Sequence, residues 1–311
     1  MRALVVRSFG GPDALELIDV AVPHPGPGQV RVRVAGSAVN PIDLSMRSGA
    51  LAHGGLLVPA PQTALGCDVA GTVDALGAGV TRFGVGEEVI GLRDIFSSIP
   101  GAQADQVVLD EGAVAPAPKT ASLIEAATLP LNGLTADRAL DLARVERGDT
   151  LLVTGAAGAV GGYVLQLAAL QGIRTVAVAS SGDEELVRRL GATDFVCRTD
   201  KLAQPVRDIV PGGVDAVIDT ALLGIVAHEA LRGGGTFVAL VRPFAPPPIR
   251  GTEVVVQEVF ADGARLAELS ALVDAGHLTL RVADTMPLTE AAAAHDSFAA
   301  GGLRGRLVLV P

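Results

Sequence analysis

The chain has 311 residues, 49% hydrophobic and 19% charged, which excludes a disordered polymer and leaves room for a large core in two domains. A net charge of −10, with one Tyr, no Trp and eight Phe, argues against nucleic acid, which needs a basic face and stacking rings, and against anionic membrane surfaces. Two cysteines, Cys67 and Cys197, make neither a disulfide framework nor a Cys-rich zinc site.

From the N-terminus, residues 1–6, 15–20, 30–34, 69–73, 88–90 and 107–109 read as short strands between turns. Val30, Val32 and Val34 alternate with Arg31 and Arg33, the period-two pattern of a half-buried strand. Asn40-Pro41-Ile42-Asp43 reads as a loop after that strand, and Gly66-Cys67-Asp68 as a turn before another. From Pro116 onward the pattern changes to alternating helices and strands. Residues 123–128, 135–143, 183–190, 264–275 and 289–299 read as helices. Residues 175–179, 194–197, 214–220, 236–241, 253–260 and 307–310 read as strands. Ser181 and Glu184 have the spacing of a capping box. The last strand has no helix after it and is expected to return to the first domain.

The second half is organised around residues 149–171, DTLLVTGAAGAVGGYVLQLAALQ. Leu151, Leu152 and Val153 are a strand. Gly155, Gly158 and Gly161 make a turn. Val160, Val164, Leu167, Ala168 and Gln171 fall at helical spacing. Strand, glycine turn and helix open a dinucleotide-binding βαβ unit. The backbone must approach a pyrophosphate closely, and the helix N-terminus then holds the anion. Against G-x-G-x-x-G the stretch reads Ala156-x-Gly158-x-x-Gly161, with Gly155 before it. The cradle is therefore expected to comprise Gly155, Ala156, Ala157, Gly158, Ala159, Val160 and Gly161. Residues 150–173 carry no charge, but five glycines and two glutamines split them into strand and helix, so they are not expected to span a membrane. Arg7 comes too soon for a secretory signal, and a cytoplasmic protein is expected.

The end of the second strand reads Ala179-Ser180-Ser181-Gly182. NAD sites place an acid at this tip for the ribose 2′-hydroxyl. Here Ser180 and Ser181 can donate hydrogen bonds instead, which favours NADPH over NADH. Asp183 and Glu184 complicate this unless they are first-turn acids complementing the helix dipole.

Several stretches together resemble the zinc-independent quinone oxidoreductases (zeta-crystallin-like) of the medium-chain dehydrogenase/reductase superfamily. They are MRALVVRSFGGPDALEL, SAVNPIDLSMRSG, LGCDVAGTVDALGAGVTRFGVGEEVIGL, TLPLNGLTADRAL, VTGAAGAVGGYVLQLA, LGATDFV, GGVDAVIDT and GGLRGRLVLVP. The resemblance implies an α/β protein: a Rossmann doubly wound parallel sheet at residues 119–267, and a GroES-like β-rich catalytic domain from residues 1–118 and 268–311. It implies NADPH-dependent reduction of quinones or other α,β-unsaturated carbonyls, by a homodimer paired through the edge strand at 253–260.

By that resemblance, Asn40 and Thr135 flank the nicotinamide, and Thr220, Leu240, Val241 and Phe260 line the ribose–nicotinamide half. Arg198 stands where relatives carry an aromatic near the adenosine phosphate, and an arginine there can pair with a 2′-phosphate. Ser45 stands where relatives often carry a Tyr. Asn40 and Ser45 are the candidates to polarise a carbonyl. Residues 93–106 depart most from the family and are expected to shape the pocket. Zinc-dependent relatives carry Cys at position 40 and a His-Glu pair at 67–68. Cys67 and Asp68 supply two ligands at most where zinc needs three or four, so no zinc is expected. The alternative is an NADPH-binding crystallin-like or sensor protein with little turnover.

Overall fold

The computed structural model describes residues 1–58, 60–95 and 99–311. Phe96, Ser97 and Ser98, in the loop expected to shape the pocket, lie outside the described residues. The chain forms two compact units. One comprises residues 1–131, 260–276 and 280–311; the other comprises 132–259 and 277–279. The borders lie later than residue 118 and earlier than residue 268.

In chain order the first unit contains β1 (Arg2–Val6), β2 (Leu15–Asp19), β3 (Gln29–Ala38), α1 (Pro41–Ser48), α2 (Ala50–His53), β4 (Thr63–Ala64), β5 (Asp68–Leu76), β6 (Glu88–Leu92), β7 (Gln106–Asp110), β8 (Val114–Pro116) and α3 (Leu123–Ala126). Helix α4 (Pro130–Ala143) follows. The second unit then holds β9 (Thr150–Thr154), α5 (Ala159–Gln171), β10 (Arg174–Ala179), α6 (Glu184–Arg189), β11 (Asp194–Cys197), α7 (Ala203–Ile209), β12 (Val214–Asp219), α8 (Ile225–His228), β13 (Leu231–Ala239) and β14 (Glu253–Val256). The chain returns to the first unit with α9 (Gly263–Asp274), β15 (Val282–Pro287), α10 (Ala291–Ala300) and β16 (Arg306–Val310).

In the first unit, β3 holds β5 along most of its length, β7 over its first half and β16 at its end, all antiparallel. Val30 and Val32 are fully buried in its core with Val69, Val89 and Val107. The C-terminal strand therefore does return to the first unit. β15 is an addition: its pattern VADTMP lacks apolar alternation, and it is ordered by parallel pairing with β16.

The second unit is one parallel sheet in the order β11-β10-β9-β12-β13-β14. Counted from its own first strand this is 3-2-1-4-5-6, the doubly wound dinucleotide-binding order. β9 is buried along its whole length because helices cover both faces of such a sheet. The uncharged stretch 150–173 resolves into β9 and α5, and among the described residues no helix is long and apolar enough to cross a membrane.

Three local readings are corrected. Residues 40–43 open α1 rather than forming a loop: Pro41 sits at the first helical position, and the Asp43 carboxylate accepts from the Asn40 N–H at 2.8 Å. Ser181 does not cap α6; it lies in a 3-10 turn, Ser181–Asp183, that precedes the helix. The strand expected over 253–260 ends at Val256, where its ladder with β13 runs out.

Candidate functional site

In the second unit the turn after β9 is held by the strand beside it. Thr154 Oγ donates to Asp219 Oδ1 at 2.5 Å, and the Gly224 N–H donates to Asp219 Oδ2 at 2.7 Å. Thr220 Oγ donates to the Thr154 carbonyl at 2.6 Å. These bonds tie the carboxyl ends of β9 and β12, where the sheet order reverses and such folds bind ligands. Gly155 lies in the left-handed region at φ 58°, and a Cβ on it would stand 2.7 Å from Thr220 Oγ. Gly161 lets α5 pack against the turn, since a Cβ there would stand 2.5 Å from the Gly155 carbonyl oxygen. Gly158 is the N-cap of α5 and offers no side-chain cap, so the first-turn N–H groups at Ala159, Val160 and Gly161 suit an anion. Ala156 and Ala157 are buried within the same turn. This cradle fits a dinucleotide pyrophosphate.

The adjacent strand ends carry the residues expected at a second phosphate subsite. The Arg198 N–H donates to the Ala179 carbonyl at 2.8 Å, which extends the β10–β11 ladder and sets Arg198 beside the end of β10. Its side chain is exposed, as is Ser181, and Ser180 is half-buried. Glu184 is paired with Arg188 at 2.8 Å one helical turn away, and Asp183 is buried. Neither is an exposed, unpaired acid at the strand tip. Of the other expected cofactor residues in this unit, Thr135 is buried in α4 and Leu240 is half-buried. Val241 is 41% exposed.

The first unit holds Asn40, Ser45 and Phe260, the last 61% exposed. Asn40 belongs to a buried network. Its Nδ2 donates to Asp68 Oδ2 at 2.6 Å and to the Ala38 carbonyl at 3.3 Å. Asp68 Oδ1 accepts from the Leu131 N–H, in the first turn of α4, at 2.6 Å. Asp43 Oδ1 accepts from the Gly66 N–H at 3.0 Å. Burial pushes the Asp43 carboxyl up to about 7 and Asp68 to about 6, against the backbone hydrogen bonds that pull both down. Burial also pushes the Cys67 thiol up and lowers the Arg93 guanidinium.

The two acceptors around Nδ2 fix the orientation of the Asn40 amide. Both its hydrogens are committed, so Asn40 has no donor to spare for an incoming group, which argues against its polarising a carbonyl. Ser45 Oγ donates to the Pro41 carbonyl of its own helix at 3.0 Å and must leave that bond to donate to a ligand. At this corner both Asp68 oxygens already accept N–H hydrogen bonds, and burial raises the Cys67 thiol. Among the described residues no group of three or more His, Cys, Asp or Glu could hold a metal ion.

Sequence reasoning missed Thr154 and Asp219, which look like ordinary strand-end residues until their strands are paired. It also missed two buried groups of the first unit, Arg47 on α1 and His295 on α10. Among the described residues, Arg47 Nε and Nη1 and both His295 ring nitrogens have no hydrogen-bond partner. Burial, with Arg47 nearby, lowers His295 to about 4.

A family model described as an alcohol dehydrogenase GroES-like domain matches residues 26–119, and one described as a zinc-binding dehydrogenase matches residues 190–309. Quinone oxidoreductase of Mus musculus is 30% identical, with 100% of this chain and 98% of that protein covered. NADPH-dependent alkenal/one oxidoreductase of Arabidopsis thaliana is 32% identical, with 89% of this chain and 70% of that protein covered. Among solved structures, one described as an NAD-dependent alcohol dehydrogenase is 31% identical, covers 100% of both chains and has a TM-score of 0.87.

Proposed function

Because this chain belongs to the medium-chain dehydrogenase/reductase superfamily, among relatives that include quinone oxidoreductases and alkenal/enone reductases, we propose that it transfers a hydride from NADPH to a quinone or another α,β-unsaturated carbonyl without zinc. The observation that carries this reading is the Asn40–Asp68 hydrogen bond. It turns the corner where zinc-dependent relatives hold their metal into a closed hydrogen-bonded pair. Bound NADPH supplies the hydride. The chain's own residues bind it, orient it and exclude water. Gly155, Gly158 and Gly161 cradle the pyrophosphate; Ser180, Ser181 and Arg198 take the 2′-phosphate; by the family likeness Asn40, Thr135, Thr220, Leu240, Val241 and Phe260 are assigned to the nicotinamide half.

A quinone suits a site whose polar side chains are already committed. The reduced oxygen is a phenolate with a pKa near 10, so water can protonate it without a protein acid. An enone asks more, because its product needs a proton on carbon.

The test is a titration of the purified protein by NAD(P)H fluorescence, followed by 1,4-benzoquinone and then a short enone. NADPH should bind tighter than NADH, and Arg198→Ala should weaken NADPH by roughly tenfold while leaving NADH unchanged, as for one lost charge-assisted contact. Equal loss for both cofactors would remove Arg198 from the 2′-phosphate. NADPH binding with no oxidation by either acceptor would favour the non-catalytic binding protein.

We further propose a homodimer paired through β14. Among the described residues β14 is the edge strand of its sheet, pairing with β13 alone, and its residues after Glu253 are half-buried. Val255→Pro should convert a dimer to a monomer in sedimentation velocity, since proline cannot continue a ladder. A wild type that sediments as a monomer would end this proposal.

A further inference from the structure

The residue that the Asn40 network turns on is Asp68, to which neither sequence nor family likeness gave a task beyond a failed metal ligand. Its two oxygens face two different N–H donors, Asn40 Nδ2 and the Leu131 backbone, each at 2.6 Å. Protonation would turn one of those oxygens into a weaker acceptor carrying its own hydrogen, so two N–H donors favour the carboxylate. The two donors belong to separate pieces of chain: Asn40 caps α1, and Leu131 is in the first turn of α4. A carboxylate at a helix N-terminus also meets the positive end of the helix dipole.

We propose that Asp68 is a positioning residue for hydride transfer, its carboxylate fixing the Asn40 amide with the nitrogen turned inward while holding the start of α4, the helix that carries Thr135. The proposal rests on the hydride-transfer reading, since it assigns Asn40 and Thr135 to the nicotinamide end. Asp68 touches neither substrate nor cofactor in this assignment and acts only through those two neighbours.

The test uses the full chain with Asp68→Asn, Asn40→Asp and the double variant. In Asp68→Asn one acceptor becomes an NH2 group facing an N–H donor. The kcat for NADPH oxidation by 1,4-benzoquinone should fall roughly 10- to 100-fold, as for a buried polar group left unsatisfied. The KM for NADPH should change by less than about threefold, because the phosphate subsites are untouched. Adding Asn40→Asp restores a donor facing an acceptor and should recover at least about fivefold of the lost kcat.

An independent readout is the side-chain amide of Asn40 in 15N-labelled wild type, identified by its loss in Asn40→Asp. One of its protons should lie downfield, as expected for a charge-assisted bond, and should move upfield in Asp68→Asn. Wild-type kcat in Asp68→Asn, a double variant no better than Asp68→Asn, or an unshifted Asn40 amide would each overturn the proposal. Should Asp68→Asn fail to fold, the wild-type amide signal decides alone. Should the wild type bind NADPH but oxidise it with no acceptor, the hydride-transfer reading falls, and the amide signal still reports whether Asp68 holds Asn40.

Discussion

Gly161→Val should raise the NADPH dissociation constant at least about 100-fold, about 2.7 kcal/mol of binding, in a fluorescence titration. At this position a Cβ would stand 2.5 Å from the Gly155 carbonyl oxygen and 2.9 Å from the Ala156 Cα, both backbone atoms that no rotamer change can move aside. α5 must therefore lift from the turn, and the first-turn N–H groups proposed to hold the pyrophosphate go with it. The same overpacking should lower stability by roughly 1–3 kcal/mol, seen as a drop in the melting temperature of the second unit. Gly212→Ala is the control in that unit: a Cβ there meets nothing within 4 Å, so binding should stay at wild type. A Gly161→Val protein with wild-type NADPH affinity would show that the cradle is elsewhere.

The second large effect concerns pH. His295 has its folded-state value lowered to about 4 from an ordinary 6.5. The folded state therefore holds this proton less tightly than the unfolded chain. The stabilising contribution is present above about 6.5 and is lost as pH falls through 4. Between pH 7.5 and pH 5 the wild type should lose about 2 kcal/mol through this one group. Asp43 works the opposite way. Its value is raised to about 7, so its contribution is present below the unfolded value near 4 and is lost as pH rises through 7. His295→Phe removes the first effect and leaves the second. Relative to wild type, the variant should thus gain about 2 kcal/mol on going from pH 7.5 to pH 5. Scanning calorimetry of both proteins at the two pH values checks this. A difference between them that does not change with pH would mean that the imidazole is not desolvated as the structure has it.

The glycine turn was legible because its chemistry is local. A strand of apolar residues, three glycines at fixed offsets and a helix can be read within residues 149–171, and the 3-2-1-4-5-6 sheet is consistent with that unit. Elements carried by their partners were not. β15 has no apolar alternation and exists by pairing with β16, while β14 stops where β13 stops supporting it. The helix at Pro41 was missed because Asn-Pro is more often a turn, and the Asp43 bond that closes its first turn is not visible in a dipeptide.

By itself, then, the sequence determined the strand, glycine turn and helix of residues 149–171 from periodicity and spacing, while the two-domain fold class and the positions that lack zinc ligands came from the family resemblance. Only the tertiary structure decided what Asn40 can do. Asp68 lies 28 residues from Asn40 and 63 from Leu131, and no local pattern says that one carboxylate will meet both. Nor does the sequence separate an ordinary buried His295 from one beside a buried arginine. The physical reason is the same in both cases. A side chain's residue type sets which hydrogen bonds and charges it can have, but its partners and its exposure to water are set by chain segments remote in sequence, and these decide whether it donates, accepts or titrates.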